Sequence, residues 1–320
     1  EYMDSTLMKA TAHTNIALIK YWGKKNTELN LPTTSSLSLT LDKFYTTTSV
    51  EPANHDRFIL NDQVVDATRV HRFLDILRQQ LGDFTPLQVI SENHVPTSAG
   101  LASSASAFAA LTGAVTHELG MDLPKEELSR LARRGSGSAS RSFFGNFAMW
   151  HKGIDDASSF AESLNAPELP IALVVAEVCD APKKITSTEG MKRAITSPNY
   201  DRWLSKSANQ FIDMQHAILD QDIDKIGALA EDNALGMHAL NLTATRSPFT
   251  YFTDKTQLIL SLIQDMRHQG ILAYATIDAG PNVKIITTMQ EAPKIVTILN
   301  HAIPSLKLEI AQSGPGISYD

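Results

Sequence analysis

The chain of 320 residues holds a single cysteine, Cys179, so no internal disulfide can form. Cys179 follows the apolar run 171–178 and reads as a reduced, buried residue of a cytosolic protein; no catalytic thiol motif surrounds it. No run approaches the roughly 20 apolar residues of a membrane span. Residues 1–8 lack the basic flank and apolar core of a signal peptide. Positive charge is scarce as well. Lys and Arg number 28 against 35 Asp and Glu, a net charge of −7, which argues against a general nucleic-acid or anionic-membrane binder. An anionic small substrate stays open, because local cations can dominate a pocket. Gly-x-x-x-x-Gly-Lys-Ser/Thr is missing, which removes support for a P-loop nucleotidase. His-Glu-x-x-His and Gly-x-Ser-x-Gly are missing too. Gly135-Ser-Gly-Ser-Ala-Ser140 lacks the third glycine of a dinucleotide fingerprint and does not follow a strand.

What is present has the balance of a soluble globular protein, with 43% hydrophobic and 20% charged residues, enough for one large or two ordinary domains. Alternation over 37–41 and 44–50 predicts a pair of strands. Residues 58–65, with Asn61-Asp62 in the middle, predict a hairpin. Val70, Phe73, Leu74, Leu77 and Leu81 fall at helical spacing over 68–81. A short strand over 87–90 runs into the small residues of 96–105. A long helix carries Phe108, Ala109, Thr112, Val115 and Leu119. A helix over 126–133, strands over 143–150 and 171–178, a long helix bearing Tyr200 to Ile218, and further helices and strands complete the chain. Residues 183–187 are read as a polar connection. The change of style past Cys179 places a boundary near residue 181, between units 1–180 and 181–320.

Four segments can carry chemistry. In Pro96-Thr-Ser-Ala-Gly-Leu-Ala-Ser-Ser-Ala105, small residues allow close backbone approach, and the following helix offers free N–H groups suited to phosphate. A tight turn packed on a sheet explains the same residues equally well. Arg133–Arg141 holds three serines, two glycines and three arginines. An arginine clamps a carboxylate or phosphate with parallel hydrogen bonds. A solvated helix C-terminus accounts for Arg133 and Arg134, but less well for Arg141, which lies beyond the glycines. Asn15–Lys24 is an apolar strand ending in Lys20, Tyr21 and Lys24, either a phosphate site or an ordinary strand end. Asp278 closes a strand just before Gly280-Pro281, as a turn cap or as a base aimed into a cleft.

Together these segments resemble the diphosphomevalonate decarboxylase family of the GHMP kinase superfamily, from about residue 10 to the end. The match is carried by Ala12–Lys24, Pro96–Ala105, Arg133–Arg141 and Asp278–Lys284, and Met237-His-Ala with Pro248-Phe-Thr-Tyr251 is familiar from bacterial members. The Pro-x-x-x-Gly-Leu-x-Ser-Ser loop is common to the superfamily; Lys-Tyr-Trp-Gly-Lys and Gly-Ser-Gly-Ser-Ala-Ser-Arg are far more specific. The resemblance implies an α+β, two-domain GHMP kinase-like fold, the N-terminal half like ribosomal protein S5 domain 2 and the C-terminal half a ferredoxin-like sandwich. It implies ATP, magnesium and 5-diphosphomevalonate as ligands, with isopentenyl diphosphate, ADP, phosphate and carbon dioxide as products. A cytoplasmic homodimer fits the family; no nucleic-acid or membrane partner is expected.

Carried over residue by residue, Gly100, Leu101, Ala102, Ser103 and Ser104 hold the ATP phosphates. Tyr21, Trp22, Gly23 and Lys24 line the substrate diphosphate with Ser136, Gly137, Ser138, Ala139 and Ser140. Arg141 grips the substrate carboxylate, Asp278 sits by the tertiary hydroxyl, and Thr188 touches substrate. Some bacterial members carry arginine where this chain has Thr188, and some carry lysine near Arg69, which also reads as an exposed helix-start residue. Metal ligands are not assigned. Either Lys20 or Lys183-Lys184 supplies charge for phosphoryl transfer. The rivals are a kinase of the same superfamily, disfavoured because Gly23-Lys24-Lys25 stands where such kinases often show Gly-Glu-His, and a non-catalytic phosphometabolite binder.

Overall fold

Short alternating segments and long amphipathic ones assemble into two sheets with helices between and outside them. The fold is given by a computed structural model that describes residues 7–94, 103–178 and 184–320. β1 (Ala10–Ile19), the ribbon β2 (Lys24–Asn26) and β3 (Leu31–Pro32), and the long β4 (Ser36–Pro52) open the chain. β5 (Arg57–Leu60), β6 (Gln63–Val64), α1 (Thr68–Leu81), β7 (Leu87–Asn93), α2 (Ser103–Glu118) and α3 (Lys125–Arg133) follow. A 3₁₀ helix, Gly137–Phe143, then leads to β8 (Phe147–Trp150) and β9 (Ala161–Ser163). The second half runs β10 (Ile171–Glu177), α4 (Ser187–Ala194), α5 (Tyr200–Leu219), α6 (Ile223–Thr243), α7 (Asp254–His268), β11 (Tyr274–Thr276), β12 (Val283–Thr288), α8 (Ala292–Ala302), β13 (Lys307–Gln312) and β14 (Ser318–Tyr319).

The first sheet is ordered β14-β1-β4-β7-β5-β6, with β8 on β4 and β9 on β8. The second is β11-β12-β10-β13, antiparallel throughout. One face of the first sheet packs on α1, α2 and α3 through Phe73, Leu77, Phe108 and Leu131. Ile16, Leu18, Leu37 and Leu39 join a second cluster with Leu173, Val175 and Ile286 from the other sheet and with Met214 and Ile226 from α5 and α6. The two halves therefore share a core. A third cluster lies on the far face of the second sheet under α7 and α8.

Several expectations shift. Residues 37–50 are one strand rather than two. Its register slips between the partners of His13 and Asn15, and Phe44 takes φ of 64°, so the break is a bulge and not a turn. Residues 171–177 belong to the second sheet, so the sheets change before residue 171 and not near 181. The chain end also returns to the first sheet: Gly314 donates to the Thr40 carbonyl at 2.8 Å, and a Cβ there would sit 2.1 Å from the Leu41 carbonyl oxygen, so only glycine fits. The polar connection over 183–187 gives way to a helix, α4, capped by the Thr186 hydroxyl on the Glu189 N–H. The hairpin expected over 58–65 is present, with Asn61 and Asp62 at φ of 50° and 64°, the left-handed pair a two-residue turn requires. No helix among the described residues is long and apolar enough to cross a membrane.

One amide joins the halves at the end of β1. Asn233 of α6 accepts the Lys20 backbone N–H at 2.8 Å and donates to Ser207 and Gln210 of α5, fully buried. Asn233→Ala strands that N–H without a partner. Destabilisation of about 1–3 kcal/mol is expected, read as a lower urea midpoint; an unchanged midpoint would remove Asn233 as a tie between the halves.

Candidate active site

Lys20 directly follows the last residue of β1, and the connection between β11 and β12 carries Asp278. They meet: Lys20 Nζ donates to Asp278 Oδ1 at 2.7 Å and to the Ala17 carbonyl at 2.8 Å. Lys284 Nζ, on β12, lies 3.5 Å from Asp278 Oδ2. Lys20 and Lys284 are 2% and 1% exposed, whereas 24% of the Asp278 side chain reaches solvent. Burial pushes the Asp278 carboxyl up, but Lys20, Lys284 and Arg141 outweigh it and hold the group well below the usual carboxylate range. Burial draws Lys20 below the ordinary lysine value, with Asp278 opposing.

Arg141 sits on the 3₁₀ helix, 3% exposed, near enough to Asp278 to feel its charge. Its Nε donates to Asn15 Oδ1 at 3.0 Å and its Nη1 to Ser36 Oγ at 2.7 Å. Asn15 in turn donates to the Ser138 carbonyl and Ser142 Oγ. Two strands thus fix the angle of the guanidinium, and among the described residues nothing bonds its Nη2. Burial lowers its pKa to about 10. Among the described residues, three buried cations thus stand around the Asp278 carboxylate, and an anionic ligand would bring further negative charge to them.

A rim of hydroxyls adjoins this cluster. Ser136 Oγ lies 3.3 Å from Ser104 Oγ, in the first turn of α2, and 3.4 Å from Ser138 Oγ. The Tyr21 hydroxyl is buried with no partner among the described residues, its ring edge-on to Trp150 at 4.7 Å. Gly137 is needed where it stands, since a Cβ would come 2.7 Å from Trp150 and 2.9 Å from Tyr21. Lys24 Nζ donates to Thr188 Oγ1 at 3.3 Å. The Arg69 guanidinium lies over the Phe108 ring and acts electrostatically on Lys24.

Other expected residues are spent on the fold. Trp22 is 3% exposed and gives its indole N–H to Asn241, so it offers no free donor. Gly23, at φ of 134°, lets Tyr200 reach the Trp22 carbonyl, because a Cβ would lie 1.8 Å from the Tyr200 oxygen. Ala139 is core, and Ser140 Oγ is committed to the Gly137 carbonyl. Arg133 is not a solvated helix end: it is fully buried, bonded to Asp156 and to the carbonyls of Leu29 and Ser159. Gly100, Leu101 and Ala102 lie outside the described residues, as do the Ser103 side chain, Lys183 and Cys179. Lys184 is exposed, so of the expected lysines that are described, Lys20 is the one bonded to Asp278, where Lys284 joins it. Sequence reasoning missed Lys284 and Asn15 as members of the cluster. Their signal was a lone lysine and a lone asparagine inside buried strands.

Residues 12–161 match the diphosphomevalonate decarboxylase-like N-terminal domain, and residues 172–314 match the mevalonate 5-diphosphate decarboxylase C-terminal domain. The chain belongs to the diphosphomevalonate decarboxylase family. It is 35% identical to the diphosphomevalonate decarboxylase of Candida albicans, over 90% of this chain and 86% of that protein. It is similar to the mevalonate diphosphate decarboxylase of Enterococcus faecalis at 44% identity and a TM-score of 0.91, covering 98% and 99% of the two chains. The Staphylococcus aureus enzyme superposes with a TM-score of 0.94 at 39% identity, over 98% of each chain. These likenesses place the chain in the two-domain GHMP kinase fold.

Burial, with Arg69 and Lys192 adding to it, lowers the Lys24 pKa to about 8. Its ammonium is present below that pH and lost above it. Affinity for inorganic diphosphate, taken relative to Lys24→Arg, should therefore fall up to about tenfold between pH 7 and 9 by calorimetry. A ratio that stays flat would take Lys24 out of the anion site.

Proposed function

We propose that the chain catalyses ATP-dependent decarboxylation of (R)-5-diphosphomevalonate to isopentenyl diphosphate in the mevalonate pathway, releasing ADP, phosphate and carbon dioxide. The observation that carries the reading is the cluster of Lys20, Lys284 and Arg141 around Asp278, lodged in a chain of this family. MDDEF, 44% identical with a TM-score of 0.92, has been solved with MVAPP, AMPPCP and magnesium, which supports the same ligands here.

A tertiary hydroxyl leaves poorly until it is phosphorylated. Asp278, ionised at any working pH, accepts the hydrogen bond of that hydroxyl and aims its oxygen at the terminal phosphorus of ATP. Its carboxylate is too weak a base to take the proton beforehand; it receives the proton as the new P–O bond forms and the oxygen becomes acidic. Lys20 keeps the carboxylate charged and adds positive potential beside the transferring group. Departure of the phosphate then breaks the C–O bond. The neighbouring carboxylate leaves as carbon dioxide, and its C–C electrons form the alkene. Arg141 sets the plane of that carboxylate through its uncommitted end, which lysine could not do.

Magnesium supplies charge neutralisation on the ATP phosphates. No group of three His, Cys, Asp or Glu among the described residues could cage it. The Ser104 hydroxyl, in the first turn of α2, is the described group that would help hold the ion together with the ATP phosphates. Tyr21, Lys24, Arg69, Ser136, Ser138 and Thr188 receive the substrate diphosphate.

The decisive assay follows ADP and carbon dioxide together, offering mevalonate, its monophosphate and its diphosphate to the purified protein. Equal yields of both products with the diphosphate are expected. ADP without carbon dioxide means a kinase, and neither product means a binding protein. Asp278→Asn should lower kcat by about 10²–10⁴ and leave substrate affinity largely intact, because the three cations remain. Near-normal turnover would remove Asp278 from the mechanism. Arg141→Lys should lose most of kcat/KM; an unchanged value would show that the carboxylate is held elsewhere.

A further inference from the structure

Asp278 does not sit in a strand. β11 ends at Thr276 and β12 begins at Val283, so residues 277–282 lie off the sheet ladder. Buried backbone groups there need partners from elsewhere. The Pro281 carbonyl accepts from Thr256 Oγ1 at 2.7 Å, and Asn282 Oδ1 accepts from the Val178 N–H at 2.8 Å. On the near side of the acid, the Ile277 carbonyl meets Nε2 of His238 at 2.9 Å. Ile277 is fully buried and His238 is 3% exposed.

We propose that His238 is a positioning residue for Asp278: its Nε2–H fixes the Ile277 carbonyl, and through it the backbone from which the acid projects. The inference rests on the functional reading above and assigns a part of that site to a residue the reading does not use. Three observations support it. A carbonyl can only accept, so the ring proton must be on Nε2. Nδ1 is buried without a partner among the described residues, which is the state of a neutral ring with its lone pair in apolar surroundings. The ring itself is held by Phe252, centroids 4.6 Å apart, and by the edge of Tyr251 at 6.2 Å. Burial, with Lys20 and Lys284 adding to it, lowers the His238 pKa to about 4, so no further cation enters a cluster already rich in them. An apolar residue of the same shape would fill the space but leave the Ile277 carbonyl unpaired. The hinge beside Asp278 would then relax, and sub-ångström placement of a reacting group is worth up to about a hundredfold in rate.

The test compares His238→Phe, which keeps ring volume and loses the donor, with His238→Gln, whose amide N–H can reach the same carbonyl. His238→Phe should lower kcat about 10- to 100-fold, with KM for the diphosphate substrate within about threefold. His238→Gln should recover most of the loss. In the wild-type protein, ¹⁵N NMR should show the Nε2–H tautomer from pH 5 to 9. The Asp278 carboxyl ¹³C signal should move in His238→Phe and stay near its wild-type position in His238→Gln. Wild-type kcat in His238→Phe, equal loss in two folded variants, or an Nδ1–H tautomer would each overturn the assignment. A wild-type protein that releases no carbon dioxide defeats the functional reading instead. The tautomer and the Asp278 signal then still decide whether His238 sets the position of the acid.

Discussion

Everything around the candidate site answers to one constraint, the company that Asp278 keeps. Its two oxygens face Lys20 and Lys284, and Arg141 stands within electrostatic reach. Removing an ion from water costs several kcal/mol, and among the described residues Asp278 is the carboxylate set among these three cations. The fold holds the cations in place all the same. Lys20 is tied to the Ala17 carbonyl, and Arg141 to Asn15 and Ser36. A site with this charge favours a ligand that brings negative charge, and a substrate with a carboxylate and a diphosphate does so at both ends. An acidic protein can offer an anion a cationic site in this way, since local charge and not the overall balance sets the field there.

The constraint also explains why the two halves share a core. Lys20 follows β1 of the first sheet and Arg141 sits on the 3₁₀ helix beside it, whereas Asp278 lies in the connection between β11 and β12 of the second sheet and Lys284 on β12. Relative movement of the sheets would change the spacing of these charges directly. The cluster that joins Leu18 and Leu39 to Leu173 and Ile286 suppresses that movement, and Asn233 ties the end of β1 to α5 and α6 on the same path. The Trp22–Gly23 turn is held likewise across the halves, by Tyr200 on the Trp22 carbonyl. A residue of the specific Lys-Tyr-Trp-Gly-Lys segment can thus serve the site through its backbone while its own side chain is core.

The elements legible in the sequence were those in which local pattern and tertiary role agree. The hairpin at Asn61-Asp62 and the helix from Thr68 to Leu81 satisfy their own turn chemistry and periodicity before anything packs on them. α4 buries only Gly190, Met191 and Ala194, too few apolar residues to reveal a period, although its Thr186 cap was there to be found. The bulge at Phe44 is a tertiary effect, set by pairing of one strand with β1 in two registers. In the site, Arg141, Asp278 and Lys24 could be picked out because a cation or acid beside glycines stands out against its surroundings. Lys284 and Asn15 could not, since each lies within an apolar strand and only pairing across the sheets shows what it meets. His238 is harder still: its contact is with a backbone carbonyl, and no side-chain pattern predicts which carbonyl the ladder leaves unpaired.

The distribution of cation types among the candidate site residues follows what each end of the proposed substrate requires. At the reacting end, angle matters as much as charge, because one C–O bond and one C–C bond must break in a set relation to the new alkene. The groups there are buried and tethered, and the one assigned to the carboxylate is a guanidinium with Nε and Nη1 already bonded to protein. At the end proposed for the diphosphate, charge suffices. Lys24 is bonded to a threonine hydroxyl at 3.3 Å, and Arg69 is exposed over an aromatic ring. Such side chains adjust to the tail without dictating where it lies, and their attraction is exchangeable between lysine and arginine. Exchange of Arg69 for lysine is therefore a change the proposed site could absorb, whereas Arg141 and Asp278 are held by specific bonds to named partners.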